Sequence, residues 1–465
     1  MFKKIEIWIL FLFIMLGIPI TIGFGVLVRQ EIEGVTKKGN IDISFLTKPA
    51  AYLARLPEKL IKIYLNPSSN RINDPWNENR YFYNQNGFKG KPHSKESYLL
   101  LAKFDGDLKE SVVELIDLTN FQILHTWNPD IDKFNKLVEK IDKFKYLDRD
   151  SNNSRARIFH PQLLKDGDLI FHTNGSPLMK IDYCSNLVFQ NKHDLFHHSI
   201  SIDKDQNIWV PSHMYPQKLP IYKVGRKMVQ EGGFQEDAIV KLSFDGRVLY
   251  EKSVPQIFIE NGLGYLLFSF GIDGFLNDPI HLNDIEPVDF DGEYWKKGDV
   301  FLSLRNQSMV LLYRPSTNKI IWIGSGPFGH QHDVNILDDH RISVLNNNSK
   351  YFENGNVVDG HNEVIIYDFK KNQYNSYLSK GLITHDVRTK SQGRSRILPN
   401  GDLFFEETDY GRTLYFNRDG SLRWSHVNGS ANGGVYGINW STIIYSETDK
   451  INIKNFLKSP INCND

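Results

Sequence analysis

The chain begins with an uninterrupted apolar run. Residues 7–28 carry no charged side chain, and Lys3 and Lys4 precede them. These 22 residues are enough to cross a bilayer as a helix. The run is longer than the apolar part of a usual signal peptide and reaches Arg29 without a small-residue cleavage motif, which favours an uncleaved anchor over a cleaved signal sequence. We therefore predict a membrane anchor over residues 1–28, with the lysines inside and the rest of the chain outside.

The pattern changes after the anchor. Residues 29–95 combine a short helical stretch around residues 50–64 with a segment rich in Asn, Pro and Gly from residue 66 to residue 92. We predict that residues 29–95 form a stalk leading into the next domain. The remainder consists of short apolar strands separated by Asp, Asn and Gly turns, a pattern typical of an all-β fold.

The β-rich part of the chain repeats one unit. Each copy is an alternating apolar strand, a polar turn and a second strand that often ends in an aromatic residue. The turn residues of six copies are Asn120, Asn186, Gly246, Asn318, Asn372 and Gly420. They are separated by 66, 60, 72, 54 and 48 residues, intervals that suit propeller blades with insertions.

A second strand–turn–strand element precedes most copies, as in residues 163–171, 336–344 and 397–405. The two elements together make a four-stranded antiparallel unit. Six such units predict an all-β, six-bladed β-propeller over residues 96–450. We expect a strand near residues 438–445 to pair with the first blade and close the ring, which leaves residues 451–465 as a C-terminal tail.

Composition narrows the class of protein. Lys plus Arg and Asp plus Glu both number 55, so the formal net charge is zero, and no basic stripe indicates a nucleic-acid partner. Hydrophobic residues make up 40% of the chain, enough for a sizeable core. Two cysteines are too few for a disulfide scaffold or a Cys-based zinc site, and whether Cys184 pairs with Cys463 stays open.

Histidines recur at one position of the repeat. Four strands that open blades carry a histidine with an apolar residue four positions later: His160, His198, His281 and His332. Positions i and i+4 lie on the same face of a strand, so each histidine occupies an equivalent place in its blade. The opening strands of a propeller line its central channel, and we expect these histidines to converge at one channel mouth. The sixth copy carries Arg394 and Arg396 instead.

Further polar groups accompany the histidines. Asn283 lies on the strand of His281, Arg305 on the next strand, His197 beside His198, and Asn347 follows the strand pair that His332 begins. Neutral imidazoles, a guanidinium and amides together suit an oxyanion substrate such as a sulfate or phosphate ester. Several histidines at one mouth could instead hold copper or zinc, although a guanidinium among them would repel a cation.

The ordered motifs His197-His198-Ser-Ile, His281-Leu-Asn283, Leu304-Arg305-Asn-Gln-Ser, Asn318-Lys-Ile-Ile-Trp322 and Gln331-His332-Asp333 resemble those of bacterial arylsulfate sulfotransferases. The resemblance covers roughly residues 155–425. It implies a six-bladed propeller facing the periplasm that moves a sulfuryl group from a phenolic sulfate ester to a phenolic acceptor.

The same resemblance assigns roles to residues. It implies that His332 is the nucleophile, forming a transient sulfohistidine, and that His198, His281 and Arg305 act with it in catalysis. It places Asn283, His197 and Asn347 among the substrate-binding residues. It implies no cofactor, no metal ligand and no adenylyl sulfate donor. The partners would be a small phenolic sulfate, a phenolic acceptor and the membrane.

Two other functions remain open at this point. The same residues could serve a hydrolase or lyase acting on an anionic substrate. Alternatively, the propeller could bind an anionic or polysaccharide ligand without chemistry, with the histidines inherited from an ancestral repeat. Oligomeric state and the identities of donor and acceptor are not determined by these patterns.

Overall fold

The computed structural model describes residues 7–32, 37–38, 41–65, 70–72, 85–219, 234–268, 277–352, 355–458 and 463. Within it the chain divides into two compact units, Met1–Ser69 and Asn70–Asp465.

The first unit is mainly helical. Helix α1 spans Ile7–Ile32, and α2 spans Ser44–Leu65. Between them β1 (Lys37–Lys38) pairs with β2 (Ile41–Asp42). In the described residues α1 is the one helix long and apolar enough to cross a membrane, over Phe11–Glu31. A signal sequence near the N-terminus can pass the same test of length and composition.

The second unit is an all-β, propeller-like arrangement of antiparallel sheets. One sheet contains β4 (Tyr98–Asp105), β5 (Glu110–Asp117), β6 (Gln122–Trp127) and β29 (Thr442–Ile444). An eight-stranded sheet joins two groups of four strands. The first group is β7 (Phe159–Leu163), β8 (Leu169–His172), β9 (Ser176–Ile181) and β10 (Leu187–Phe196). The second is β11 (Ser201–Ile202), β12 (Ile208–His213), β13 (Asp237–Leu242) and β14 (Val248–Ser253).

Three further sheets complete the unit. One consists of β15 (Leu282–Pro287), β16 (Val300–Leu304), β17 (Met309–Arg314) and β18 (Lys319–Gly324). The next consists of β19 (His332–Ile336), β20 (Arg341–Asn346), β23 (Glu363–Asp368) and β24 (Gln373–Tyr377). A separate hairpin, β21 (Ser349–Phe352) and β22 (Gly355–Val358), follows β20. The last sheet consists of β25 (Arg394–Ile397), β26 (Leu403–Glu407), β27 (Arg412–Phe416), β28 (Leu422–Val427) and β3 (Gly87–Gly90).

Short helices lie in the connections between sheets, and a longer one follows the last strand. They are α3 (Ile131–Asn135), α4 (Leu147–Asp150), α5 (Val254–Glu260), α6 (Ser379–Thr384) and α7 (Glu447–Lys458).

The ends of the β-rich unit return to its sheets. Strand β29 pairs with β4, with Thr442 opposite Leu100, so the predicted ring closure near residues 438–445 is confirmed. Strand β3, which lies in the segment predicted as a stalk, pairs with the outer strand β28. These pairings cover edges that would otherwise present free backbone groups.

The core lies between neighbouring sheets. Alternating side chains of the strands are buried there, and large aromatic rings such as Trp127, Trp295 and Trp424 are almost completely excluded from solvent. The turns that separate the strands use glycine where the backbone requires it. Gly246 has φ of +84°, in the left-handed region that favours glycine.

A disulfide joins Cys184 to Cys463 across 279 residues of sequence, which settles the pairing that the sequence left open. Replacing both cysteines by serine should lower the free energy of unfolding by about 2–4 kcal/mol, since the bond restricts the unfolded chain. Urea-induced unfolding of the full chain in detergent, followed by tryptophan fluorescence, measures the change. Reduced wild-type chain should unfold like the double variant; an unchanged midpoint in both would contradict the expectation.

Candidate active site

Three of the predicted histidines meet at the centre of the β-rich unit. The ring of His198 lies 5.1 Å from that of His281 and 6.4 Å from that of His332, measured between centroids. His198 and His281 have φ of +59° and +53°, a conformation that non-glycine residues seldom adopt. Backbone strain of this kind clusters at functional sites, where the surrounding fold imposes it.

Asn347 determines which nitrogen of His332 is free. The Asn347 amide nitrogen donates to the backbone oxygens of Thr389, at 3.0 Å, and Gln392, at 2.8 Å. This directs its Oδ1 toward His332 Nδ1, at 2.7 Å, so Nδ1 carries the proton and donates it. The Nε2 atom is buried and has no hydrogen-bond partner within the described part of the chain. His332 therefore presents an unshared electron pair on Nε2.

The surroundings also keep His332 uncharged. Its side chain is completely buried, and burial together with the positive charge of Arg305 lowers the pKa of His332 well below the usual value for histidine. The hydrogen bond to Asn347 opposes this effect but is weaker. A neutral imidazole is the nucleophilic form, so His332 is ready to react near neutral pH.

Arg305 brings a positive charge beside His332, and Asp278 and Asp409 act on it only through electrostatics. Its Nε atom is buried without a hydrogen-bond partner, and Nη1 has only a long contact of 3.4 Å with Asn306 Oδ1. Among the described residues no carboxylate forms an ion pair with it. The backbone nitrogen of Arg305 donates to the oxygen of His281, which fixes the two residues relative to each other. A partly buried guanidinium without a counter-ion favours binding of an anion.

His281 is paired with a carboxylate. Its Nδ1 lies 2.5 Å from Asp278 Oδ2, and its backbone nitrogen donates to Asp278 Oδ1. This pair orients the ring, as in other histidine–carboxylate pairs that transfer protons. His281 remains partly exposed, and so are Arg305 and His330, which gives this side of the cluster access to solvent.

Asn283 supports the backbone next to His332. It is completely buried, and its amide nitrogen donates to the oxygen of Gln331 at 2.7 Å. Gln331 in turn donates to Ser303 Oγ and to the oxygen of Met309. These bonds hold the start of β19, and therefore the His332 side chain, in position.

The two ring nitrogens of His197 face different neighbours, one inside the histidine cluster and one outside it. Its Nδ1 lies 2.8 Å from Nδ1 of His198, whereas its Nε2 faces Asp237, beside His213. In the described residues three groups of histidine and acidic side chains are close enough to share a metal ion, and none contains His198, His281 or His332.

The fourth repeat histidine lies apart from the other three. His160 Nδ1 accepts from the backbone nitrogen of Ile200, and its Nε2 contacts Arg394, which is bound to Asp333. With Arg394 it lines a cavity of about 350 Å³ to which His198, His281 and His332 do not contribute. His160 therefore occupies the same repeat position as the other three histidines but has different neighbours.

Trp440 occupies the space between these two groups. Its ring lies 5.6 Å from His160, 6.1 Å from His198 and 6.3 Å from His332, and it is fully buried. The Glu406 carboxylate accepts from the backbone nitrogen of Trp440 and holds it in place. Trp440 forms one wall of the histidine cluster.

Sequence reasoning missed Trp440 and Asp278. Trp440 belongs to no repeated motif, although the predicted closing strand contains it. Asp278 lies three residues before His281, a spacing that could have suggested a histidine–carboxylate pair. The contacts of Asn347 with His332 were equally beyond sequence reasoning.

The buried histidines make stability depend on pH. Burial lowers the pKa of His93 to about 4, that of His426 to about 3, and those of His160 and His332 well below the usual value. These side chains bind protons when unfolded but not when folded. The free energy of unfolding should therefore fall as pH drops below about 6.5, by up to about 1.4 kcal/mol per pH unit for each histidine.

Carboxyl groups whose pKa is raised by burial act in the opposite direction, and Asp194, Asp284, Glu286 and Glu406 are of this kind. Burial raises the pKa of Asp284 to about 8 and that of Glu286 to about 7, so they hold protons in the folded chain. Ten described histidines have a lowered pKa, which is more than these carboxyl groups, so the net change below about pH 6.5 is destabilising. Urea midpoints measured at a series of pH values test this prediction. His426→Gln should make the urea midpoint depend less on pH. Replacing His340, which lies on a turn, should leave that pH dependence as it is. A midpoint that rises on acidification would contradict the prediction.

One known protein family matches the part of the chain that contains the histidine cluster. The profile of the family described as Arylsulfotransferase (ASST) matches residues 160–429, which include the whole histidine cluster except Trp440. No curated protein matches the sequence.

Solved structures resemble the fold at low sequence identity. A protein of unknown function from Bacteroides caccae is 12% identical over 76% of this chain and 100% of its own, with a TM-score of 0.44. TolB from Acinetobacter baumannii is 10% identical over 87% of this chain and 74% of its own, with a TM-score of 0.39. Virginiamycin B lyase from Staphylococcus aureus is 10% identical over 77% and 98%, with a TM-score of 0.36.

The family profile spans more than half of the chain. It confirms the resemblance that the ordered motifs indicated. The chain belongs to the arylsulfotransferase (ASST) family.

Proposed function

We propose that this chain is an arylsulfotransferase that moves a sulfuryl group from a phenolic sulfate ester to a phenolic acceptor through a sulfohistidine at His332. The observation that carries this proposal is the state of His332. Asn347 holds the proton on Nδ1, Nε2 is unpartnered, and the Arg305 guanidinium beside it has no counter-ion among the described residues. A nucleophile next to an anion-binding charge is what sulfuryl transfer requires.

In the first half-reaction the electron pair on His332 Nε2 attacks the sulfur atom. A nitrogen–sulfur bond forms, the bond between sulfur and the aryl oxygen breaks, and its electron pair leaves with that oxygen. His281 donates a proton to the departing phenolate, and Asp278 keeps the ring oriented throughout. The Nδ1 proton of His332 stays bonded to Asn347.

In the second half-reaction His281 takes the proton of the acceptor phenol. The phenol oxygen attacks sulfur, the nitrogen–sulfur bond breaks, and its electron pair returns to His332 Nε2. The proton taken up by His281 replaces the one given in the first half-reaction, so the balance closes. No cofactor is needed, because the migrating group is supplied by the donor ester.

The other predicted residues divide into two roles. Arg305 and His198 bind the sulfuryl oxygens, whose negative charge grows in the transition state. Asn283, Asn347 and His197 are the predicted substrate-binding residues, and their contacts also support a role in positioning His332 and His198.

The architecture proposed for this function keeps the predicted segments. Residues 1–28 form a single-pass membrane anchor, and residues 29–95 connect it to the propeller on the periplasmic or extracellular side. The eight-stranded sheet supplies two of six blades between residues 96 and 450. Because β3 pairs with β28 and Cys463 is bonded to Cys184, we place parts of the stalk and of the tail at 451–465 against the propeller.

The test uses the full-length chain in detergent with 4-nitrophenyl sulfate, with and without a phenol acceptor. We expect chromophore release that depends on the acceptor and gives parallel lines in double-reciprocal plots, the pattern of a two-step transfer. Release that needs no acceptor would identify a hydrolase. Folded protein that releases nothing from several donors would overturn the proposal in favour of a binding propeller.

A further inference from the structure

Three potential metal ligands meet beside His198. His197 follows β10, His213 ends β12 and Asp237 begins β13. His213 and Asp237 lie opposite each other in the ladder between β12 and β13, and the backbone nitrogen of His197 donates to the oxygen of Pro211. Backbone pairing therefore brings together residues that are 16 to 40 positions apart in the sequence.

The three side chains converge on a small volume. Asp237 Oδ1 lies 3.2 Å from His213 Nε2 and 3.4 Å from His197 Nε2, and the two rings are 4.1 Å apart between centroids. All three atoms lie within 4.8 Å of one another. His197 and Asp237 are almost completely buried, whereas the His213 side chain is 28% exposed and leaves a path for an ion from solvent.

Two of these three ligand atoms have no hydrogen-bond partner among the described residues. His197 Nε2 and Asp237 Oδ1 are buried and form no hydrogen bond of acceptable geometry within the described residues. The other carboxylate oxygen of Asp237 accepts from the backbone nitrogen of Leu282 at 2.8 Å, which orients Oδ1 toward the two imidazoles. Buried polar atoms are nearly always satisfied, so the convergence of two unsatisfied atoms indicates a missing ligand.

The spacing matches the coordination shell of zinc. Zn²⁺ binds imidazole nitrogen and carboxylate oxygen at about 2.0–2.2 Å, so neighbouring ligands of a tetrahedral site lie about 3.3–3.5 Å apart. The 3.2 Å and 3.4 Å separations have this size. Two histidines and one carboxylate are a ligand set of known zinc sites that keep a fourth position open.

We propose that His197, His213 and Asp237 bind a divalent transition-metal ion, and that Zn²⁺ is the ion this ligand set fits best. This departs from the sequence-based expectation of no metal ligand, which considered the histidines at the channel mouth and not this trio. The ion would lie one imidazole away from His198.

The site affects catalysis through His198, an effect that rests on the proposed function. A metal on His197 Nε2 requires the proton of that ring to be on Nδ1, which lies 2.8 Å from His198 Nδ1. His198 Nδ1 then accepts this proton's hydrogen bond, so neutral His198 carries its own proton on Nε2. The ion thereby makes His198 a hydrogen-bond donor, the role proposed for it toward the sulfuryl oxygens.

Metal content tests the site without any activity measurement. The full-length chain, purified in detergent with a tag that contains no histidine, is analysed by plasma mass spectrometry. Chelator-treated chain is then titrated with Zn²⁺ and followed by calorimetry, and with Co²⁺ followed by visible absorption. We expect one ion per chain, and Zn²⁺ affinity lowered by at least about 100-fold in His213→Gln and Asp237→Asn.

A matched histidine variant provides the control. His125 bonds to the oxygen of Tyr183 and faces no carboxylate, so His125→Gln should keep the ion. Circular dichroism verifies that each variant is folded. Folded wild-type chain that neither contains nor takes up Zn²⁺ would overturn the proposal. So would an ion lost in His193→Gln but kept in His213→Gln, because His193 belongs to another cluster with Asp194 and Glu251.

The two proposals fail separately. A chain that binds Zn²⁺ at the trio but transfers no sulfuryl group overturns the proposed function and leaves the metal site standing. A chain that transfers the group but never binds an ion at the trio overturns the metal site alone. If both stand, removing the ion should lower the transfer rate while His332 still gains a sulfuryl group.

Discussion

His332→Ala should lower acceptor-dependent release of nitrophenol by at least about 1,000-fold, because the proposed transfer passes through a bond between sulfur and His332 Nε2. The loss should appear in kcat rather than only in KM, since the residue forms the intermediate. Release from 4-nitrophenyl sulfate, measured over a range of donor and acceptor concentrations, gives both constants.

A second readout identifies the intermediate directly. Wild-type chain incubated with donor but no acceptor should gain the mass of one sulfuryl group at His332, located by peptide mass spectrometry. His332→Ala should gain none. His340→Asn is the control, because His340 lies on a turn outside the cluster and its ring pairs with Asp338 and Asp339. If His332→Ala keeps activity within about tenfold of wild type, His332 is not the nucleophile.

Arg305→Ala should lower kcat/KM by about 100- to 1,000-fold, the usual cost of removing one group that stabilises transition-state charge. The guanidinium is partly buried and has no carboxylate partner among the described residues, so its charge is available to the sulfuryl oxygens. Arg305→Lys should retain more activity than Arg305→Ala, because it keeps the charge but loses the planar pair of donors. Steady-state kinetics with one donor and one acceptor measure all three proteins.

Arg247→Ala is the matched control for charge removal. Arg247 is 77% exposed and pairs with Asp245 in a turn far in sequence from the cluster, so its loss should leave the rate unchanged. Rates in Arg305→Ala equal to those in Arg247→Ala would show that the guanidinium does not contact the reacting group. A rate restored by added guanidinium ion in Arg305→Ala alone would support the contact.

Much of this site could be predicted from the sequence repeat alone. The repeat predicted that the histidines opening four strands converge; His198, His281 and His332 do so, whereas His160 lies apart. Ring closure near residues 438–445 followed from the same repeat. These inferences succeeded because strand periodicity and turn residues are local, and a propeller repeats one local unit.

Other features depend on contacts between distant residues. Asn347 was placed near His332 but as a substrate ligand; only the fold shows that Thr389 and Gln392 orient its amide and thereby select the free nitrogen of His332. Trp440 reaches the cluster from the segment just before β29, which carries no repeat signature. No spacing in the chain predicts such neighbours.

The sequence by itself determined the strand repeat, the apolar N-terminal run and the residue types of the histidine cluster, because each is a local property of the chain. The tertiary structure alone decided the tautomer of His332, the unpartnered Nε of Arg305 and the meeting of His197 with His213 and Asp237. These depend on which polar atoms are buried together and which remain unpaired. Burial and pairing are set by the packing of whole sheets, and no short segment of sequence contains that information.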